Sequence, residues 1–203
     1  MAIFIAIFGV TNAMAIEEAK YTAIVDEKIF EVRRYEPHIL AETLVDGDFN
    51  SAGNEAFGRL FNYISGNNTT SKKVAMTAPV SMQGAGEKIS MTSPVGQEQK
   101  NARWAVSFMM PSSFVLATLP TPKDTNVALR QIPERYVASI RYSGFWSRKR
   151  YLVYEGKLKA WVDKKSYSVV GEPIWARYDA PYVPWFLRRN EILLPIEKPL
   201  SSD

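Results

Sequence analysis

The sequence predicts an α+β fold, in which a curled antiparallel sheet tending toward a barrel is covered by two helices and built from an internal pseudo-two-fold repeat. Three observations lead there. Laid on itself at an offset of 97 residues, the chain sets Val32 on Leu129, Arg33 on Arg130, Ala41 on Ala138, Gly47 on Gly144, Phe57 on Tyr154, Phe61 on Leu158 and Ile64 on Trp161, without gaps. Each copy reads as strand, turn, strand and helix, because polar–apolar alternation gives way to 3.6-residue periodicity. A content of 46% hydrophobic and 12% aromatic residues in 203 can fill one real core.

In chain order, residues 29–35 and 39–45 alternate across Glu36-Pro37-His38, as two antiparallel strands joined by a turn would. Ala56, Phe57, Leu60, Phe61 and Ile64 then share a helical face, with Asp48 or Ser51 to cap its start and Gly66-Asn67-Asn68 to stop it. A polar loop runs to Lys73. Residues 74–82 and 89–95 are short, β-like and bounded by prolines, around a Gly-rich turn at 83–87. Residues 104–110 form a strand, and the Pro-rich loop 119–122 leads into strands at 127–130 and at Tyr136, Ala138, Ile140 and Tyr142. A second helix starts at Ser147, carries Tyr151, Tyr154, Leu158 and Trp161 on one face, and ends at Lys164-Lys165. Further strands run to Ile196.

Composition excludes much chemistry. With no cysteine there is no thiolate nucleophile, disulfide, Cys-bound zinc or iron–sulfur cluster, and with His38 as the single histidine there is no HExxH site. A net charge of +4 lacks the strong field of a nucleic-acid binder, so no nucleic-acid partner is expected. Residues 3–10 form an apolar run followed by Ala13-Met14-Ala15, a small-x-small cleavage pattern, without the basic n-region that usually precedes one. Residues 1–15 therefore read as a signal peptide and 16–203 as one exported domain, periplasmic or secreted. The run is short for a membrane span, which takes about 20 apolar residues.

Between the two helices lies a duplicated string, Met76-Thr77-Ala78-Pro79-Val80 and Met91-Thr92-Ser93-Pro94-Val95, followed by residues 104–111. With Phe30-Glu31-Val32-Arg33-Arg34-Tyr35, Tyr178-Asp179-Ala180-Pro181 and Pro184-Trp185 leading to Arg188-Arg189-Asn190-Glu191-Ile192, it resembles the SOUL haem-binding family over roughly residues 20–196. The resemblance implies a distorted β-barrel with two helices, related to the GyrI-like effector-binding fold. It also implies binding of haem or another tetrapyrrole, without catalysis.

Haem needs an apolar slot, cations for its propionates and optionally an axial ligand to its iron. His38, in a turn after Pro37, is the candidate metal ligand, against the bland alternative of a solvated surface histidine. Met76, Met82 and Met91 offer thioethers, although methionine also fills gaps in cores. Ser147-Arg148-Lys149-Arg150 sets three cations at a helix N-terminus, where the dipole disfavours them, so Arg148 and Arg150 are candidates for propionates or lipid headgroups unless the surface is merely solvated. Family members often carry basic residues on the first helix; here Asn54 and Asn62 stand instead, leaving Arg59. The Arg188–Glu191 run reads as a tie between strands, and residues 178–185 as a rigid aromatic loop. The expected function is a non-enzymatic carrier or scavenger of haem outside the cytoplasm. Two alternatives are a hydrolase that activates water with Glu191 and a buried tyrosine, and a module that docks on membranes or proteins through the aromatic loop and second helix.

Overall fold

A computed structural model describes residues 16–69 and 86–199. Its elements are β1 (Tyr21–Glu27), β2 (Phe30–Tyr35), β3 (His38–Val45), α1 (Phe49–Ile64), β4 (Asn68–Thr69), β5 (Val95–Lys100), β6 (Arg103–Met109), β7 (Thr121–Pro122), β8 (Val127–Ile132), β9 (Arg135–Tyr142), α2 (Arg148–Lys164), β10 (Ile174–Arg177) and β11 (Asn190–Ile196). Nine strands make one antiparallel, strongly curled sheet in the order β1-β2-β9-β11-β10-β5-β6-β3-β8, and β4 pairs with β7. The α+β class and the barrel-like curl expected from the sequence are both present.

The repeat explains the order of the strands. Exchanging β2 with β8, β3 with β9, β5 with β10 and β6 with β11 returns the same sequence of neighbours, with the pseudo-two-fold axis between β10 and β5. The registers obey the same operation: Val32 opposite Ala138 becomes Leu129 opposite Ala41, and both pairs are observed. Each half therefore lends its first strand to the other half's second, and the edge of one repeat is covered by its twin.

Helix α1 lies on β3 and β6, and α2 lies on β9 and β11. The buried side of α1 is Phe49, Ala52, Ala56, Leu60 and Tyr63, at the i, i+3, i+4 spacing of one face. Phe57 and Phe61, placed by the sequence on the same helical face as Ala56, Leu60 and Ile64, are exposed and stack on each other at 6.0 Å. On α2 the side chains of Tyr151, Leu158, Trp161 and Val162 are buried, and Tyr154 stacks on Tyr142 at 4.0 Å. Ser147 caps α2 by accepting a hydrogen bond from the Arg150 N–H at 3.3 Å. Gly47 and Gly144 precede the two helices with φ of 114° and 131°, a region that disfavours a side chain.

Two stretches differ from the sequence reading. Residues 89–93 are not a strand; the Ile89 N–H bonds the carbonyl of Ile64 and the Ser93 N–H that of Glu17, so Ile89, Thr92 and Ser93 are buried outside the ladder of the sheet while Met91 is exposed. The strand begins at Val95, where alternation is weak because Gly-Gln-Glu-Gln-Lys is polar. The additional edge strand β1 is mostly exposed, which removes the apolar alternation that reveals a strand. The first string, 76–80, with Met76 and Met82, lies outside the described residues, as does the expected signal peptide at 1–15.

Candidate functional site

The repeat is symmetric in backbone but not in side-chain volume, and this difference opens a cleft. Tyr151 on α2 and Trp175 on β10 stack at 5.3 Å, and with Phe49 and Trp104 they fill one side of the axis. The equivalent positions on the other side are Asn54, by the 97-residue offset, and Gln97, which faces Val106 as Trp175 faces Ile192. Smaller, polar side chains leave a space of about 310 Å³ there. Phe57, Met91, Val95, Val106, Trp146 and Pro181 give it apolar walls. That size lies at the lower end of small-molecule sites.

One charge is built into the wall. The Arg177 Nε donates to the Tyr151 hydroxyl at 3.0 Å, and Nη2 donates to Gln97 Oε1 at 3.1 Å. Gln97 in turn donates to the carbonyl of Phe49 at 3.0 Å, which the absence of a side chain at Gly53 permits. The guanidinium lies 5.1 Å from the Trp146 ring and 5.5 Å from Phe49. Among the described residues Arg177 has no carboxylate partner, and it is the only cation lining the cleft. Its direct partners are neutral and hold it in place, and the one carboxylate lining the same cleft among the described residues, Asp179, accepts the Arg189 N–H, so the guanidinium is preorganised for an anionic group on an otherwise apolar ligand.

The expected site residues are distributed differently. Met91 lines the cleft. His38 does not; it borders two other depressions, and its Nδ1 lies 2.8 Å from the carbonyl of Glu36, which places the proton on Nδ1 and leaves Nε2 as a lone-pair donor. Burial, with repulsion from Arg135, lowers its pKa despite the Glu36 contact, so the ring is neutral near pH 7. The larger depression beside it, about 350 Å³, is lined by Glu17, Glu18 and Glu36 with Lys20 as its only cation among the described residues, and Glu18 pairs with Arg189, so its wall is more acidic than basic and less suited to a carboxylate-bearing ligand. Arg148 is exposed and Arg150 donates to the carbonyl of Ser143 at 3.0 Å; neither lines the cleft. Arg59 is engaged by Glu55, Asp124 and Thr43, while Asn54 faces the cleft. The sequence reading missed Arg177, although it directly precedes the quoted string 178–181.

Glu191 sits on the sheet face away from the helices, buried among donors. Arg33 Nη1 and Nη2 reach it at 2.5 and 3.0 Å, Arg189 Nε at 3.0 Å and the Tyr178 hydroxyl at 2.8 Å. Burial pushes its pKa up, but Arg33, Arg189 and Tyr178 outweigh it and the net direction is down. Burial also raises the Tyr178 hydroxyl well above its usual range, so it stays protonated and donates. Asn190 beside it accepts from Trp146 Nε1 at 2.9 Å and donates to the carbonyl of Gly144 at 3.1 Å. Glu191 ties β11 to β2 while Arg188 braces the loop before it, and the Glu191 oxygens are occupied by four donors, which leaves the carboxylate poorly placed to serve as a general base.

The family model described as SOUL heme-binding protein matches residues 16–195. The chain belongs to the SOUL haem-binding family. A relative, "Heme-binding protein 1" of Xenopus tropicalis, is 26% identical over 168 residues, covering 82% of this chain and 83% of that protein. Among solved structures, the SOUL domain described here resembles the EcmrR C-terminal domain, with a TM-score of 0.51 and 15% identity, covering 88% of this chain and 98% of that one. It also resembles a protein titled a hydrolase from Listeria innocua, with a TM-score of 0.52 and 10% identity over 85% of this chain and 94% of that one. At such identities the likeness shows the fold alone.

Proposed function

We propose that this SOUL protein is a non-enzymatic carrier of haem or a related tetrapyrrole outside the cytoplasm. The observation that carries the reading is Arg177, a cation with only neutral partners in the wall of an apolar cleft. The aromatic and aliphatic walls would hold one edge of a macrocycle larger than the space of about 310 Å³, Arg177 would hold a propionate, and Met91 would be available as a thioether ligand. The iron, when bound, supplies whatever redox or ligand chemistry the complex has; the protein's residues bind, orient and exclude water. The family and the named relative support haem as the ligand. The committed, ionised state of Glu191 speaks against a hydrolase. The apolar run at 3–10 and Ala13-Met14-Ala15 support export.

The test is a haem titration of the full chain followed by visible absorption, with Arg177→Gln, Met91→Ala and His38→Ala. Saturable one-to-one binding is expected. Loss of one charge-assisted hydrogen bond, worth about 1.5–3 kcal/mol, makes Arg177→Gln bind roughly 10–150-fold more weakly. Met91→Ala shifts the absorption band if the thioether ligates, and His38→Ala leaves affinity and spectrum unchanged. Binding abolished by His38→Ala alone would move the site to the depression beside His38, and no saturable change would discard haem.

A further inference from the structure

Residues 182–187 and the start of α2 form a surface outside the cleft proposed for haem. Tyr182 is 88% exposed and Leu187 65%, with Trp185 and Phe186 exposed between them. The Trp185 indole stacks on exposed Phe145 at 5.2 Å and meets the edge of Phe186 at 5.6 Å. Single apolar residues on a surface are ordinary, whereas a contiguous group of large ones marks a docking site. The display is built rather than slack. Arg188 donates to the carbonyls of Val183, at 2.7 Å, and Pro181, and its guanidinium lies 4.6 Å from the Trp146 ring.

Cations border this group. Arg148 and Lys149 are exposed in the first turn of α2, pair with no carboxylate among the described residues, and stand where the helix dipole disfavours them. The next turn exposes Leu152 and Val153. No acidic residue occurs between Phe145 and Tyr154 or between Ala180 and Asn190, and the nearby Asp179 carboxylate accepts the Arg189 N–H at 2.5 Å. Trp, Tyr and Phe favour the boundary between water and acyl chains, and unpaired Arg and Lys beside them favour anionic headgroups. No helix among the described residues is long and apolar enough to cross a membrane.

We propose that this surface docks the protein on anionic membranes, with the ring cluster in the interface and Arg148 and Lys149 against the headgroups. The test is co-sedimentation of the full chain, without haem, with phosphatidylcholine vesicles that do or do not contain phosphatidylserine. The apolar run at 3–10 is common to every variant and cancels from the comparison. Phosphatidylserine is expected to raise binding, and high salt to reverse the rise. Removing two surface cations, at about fivefold each, makes Arg148→Gln/Lys149→Gln roughly 25-fold weaker on anionic vesicles and unchanged on neutral ones. Trp185→Ser/Phe186→Ser weakens binding to both. Thermal melts check that the variants, all at exposed positions, remain folded. Binding indifferent to phosphatidylserine, or indifferent to both double substitutions, would overturn the proposal. A dimer in sedimentation velocity that Trp185→Ser/Phe186→Ser abolishes would give the surface to a second copy instead. Because no haem is present, these outcomes are independent of the carrier reading.

Discussion

Replacing Glu191 by alanine tests how strands β2 and β11, one from each repeat, are tied across β9. Arg33, 1% exposed, and Glu191, fully buried, meet at 2.5 and 3.0 Å, so the substitution leaves a desolvated guanidinium behind. Breaking a buried pair in this way costs about 3–5 kcal/mol. Glu31 still holds Arg33 Nε at 2.6 Å, which sets the expectation at the lower end, about 3 kcal/mol. In a chain of this length that lowers Tm by roughly 6–12 °C. Replacing both partners, as Arg33→Met/Glu191→Leu, removes the stranded charge and costs less than Glu191→Ala alone. Urea unfolding followed by tryptophan fluorescence measures both. If Glu191→Ala costs under about 1 kcal/mol, or the double variant is as unstable as the sum of the two singles, the pair does not hold the sheet as argued.

The same carboxylate predicts a response to acid. Its folded pKa lies below the ordinary value of 4.5, so the stability it contributes is complete above that value and is lost as pH falls below it through the lowered folded pKa. Melting temperature should therefore decline below about pH 4.5 more steeply for the native protein than for Arg33→Met/Glu191→Leu, which differential scanning fluorimetry would show. Gly144 has φ of 131°, and a Cβ there would lie 2.5 Å from the Arg150 guanidinium carbon; Gly144→Ala is expected to cost about 1–3 kcal/mol. Gly156, inside α2 with open space around it, gives the opposite sign, and Gly156→Ala should stabilise by about 0.5–1 kcal/mol. Equal effects at the two glycines in thermal melts would remove the conformational argument.

The repeat was legible because it is written in local pattern. Val32 and Leu129, Gly47 and Gly144, and the two helical faces recur at one offset, and alternation and periodicity are properties of neighbouring residues. The strand order is not legible in the sequence; the structure supplies it, and it obeys the same two-fold, each repeat's first strand covering an edge of its twin. The family was legible for a similar reason, in short strings that survive as strings. The edge strand β1 and the onset of β5 were not, because exposed or polar strands carry no hydrophobic signal.

The site belongs to the other category. Nothing near Asn54 or Gln97 in the chain announces a cleft; they matter because the two-fold sets them against Tyr151 and Trp175, and a cavity is a difference in volume between residues 97 and 78 positions apart. Arg177 becomes a ligand candidate only when packing gives it neutral partners, while Arg33 and Arg189, equally basic in sequence, are consumed by Glu191. Sequence thus determined the two helices, the strands with an apolar face and how they repeat, since those follow from local hydrophobic order. Tertiary structure alone decided which charges are spent and where space remains, since both depend on residues that meet only after folding.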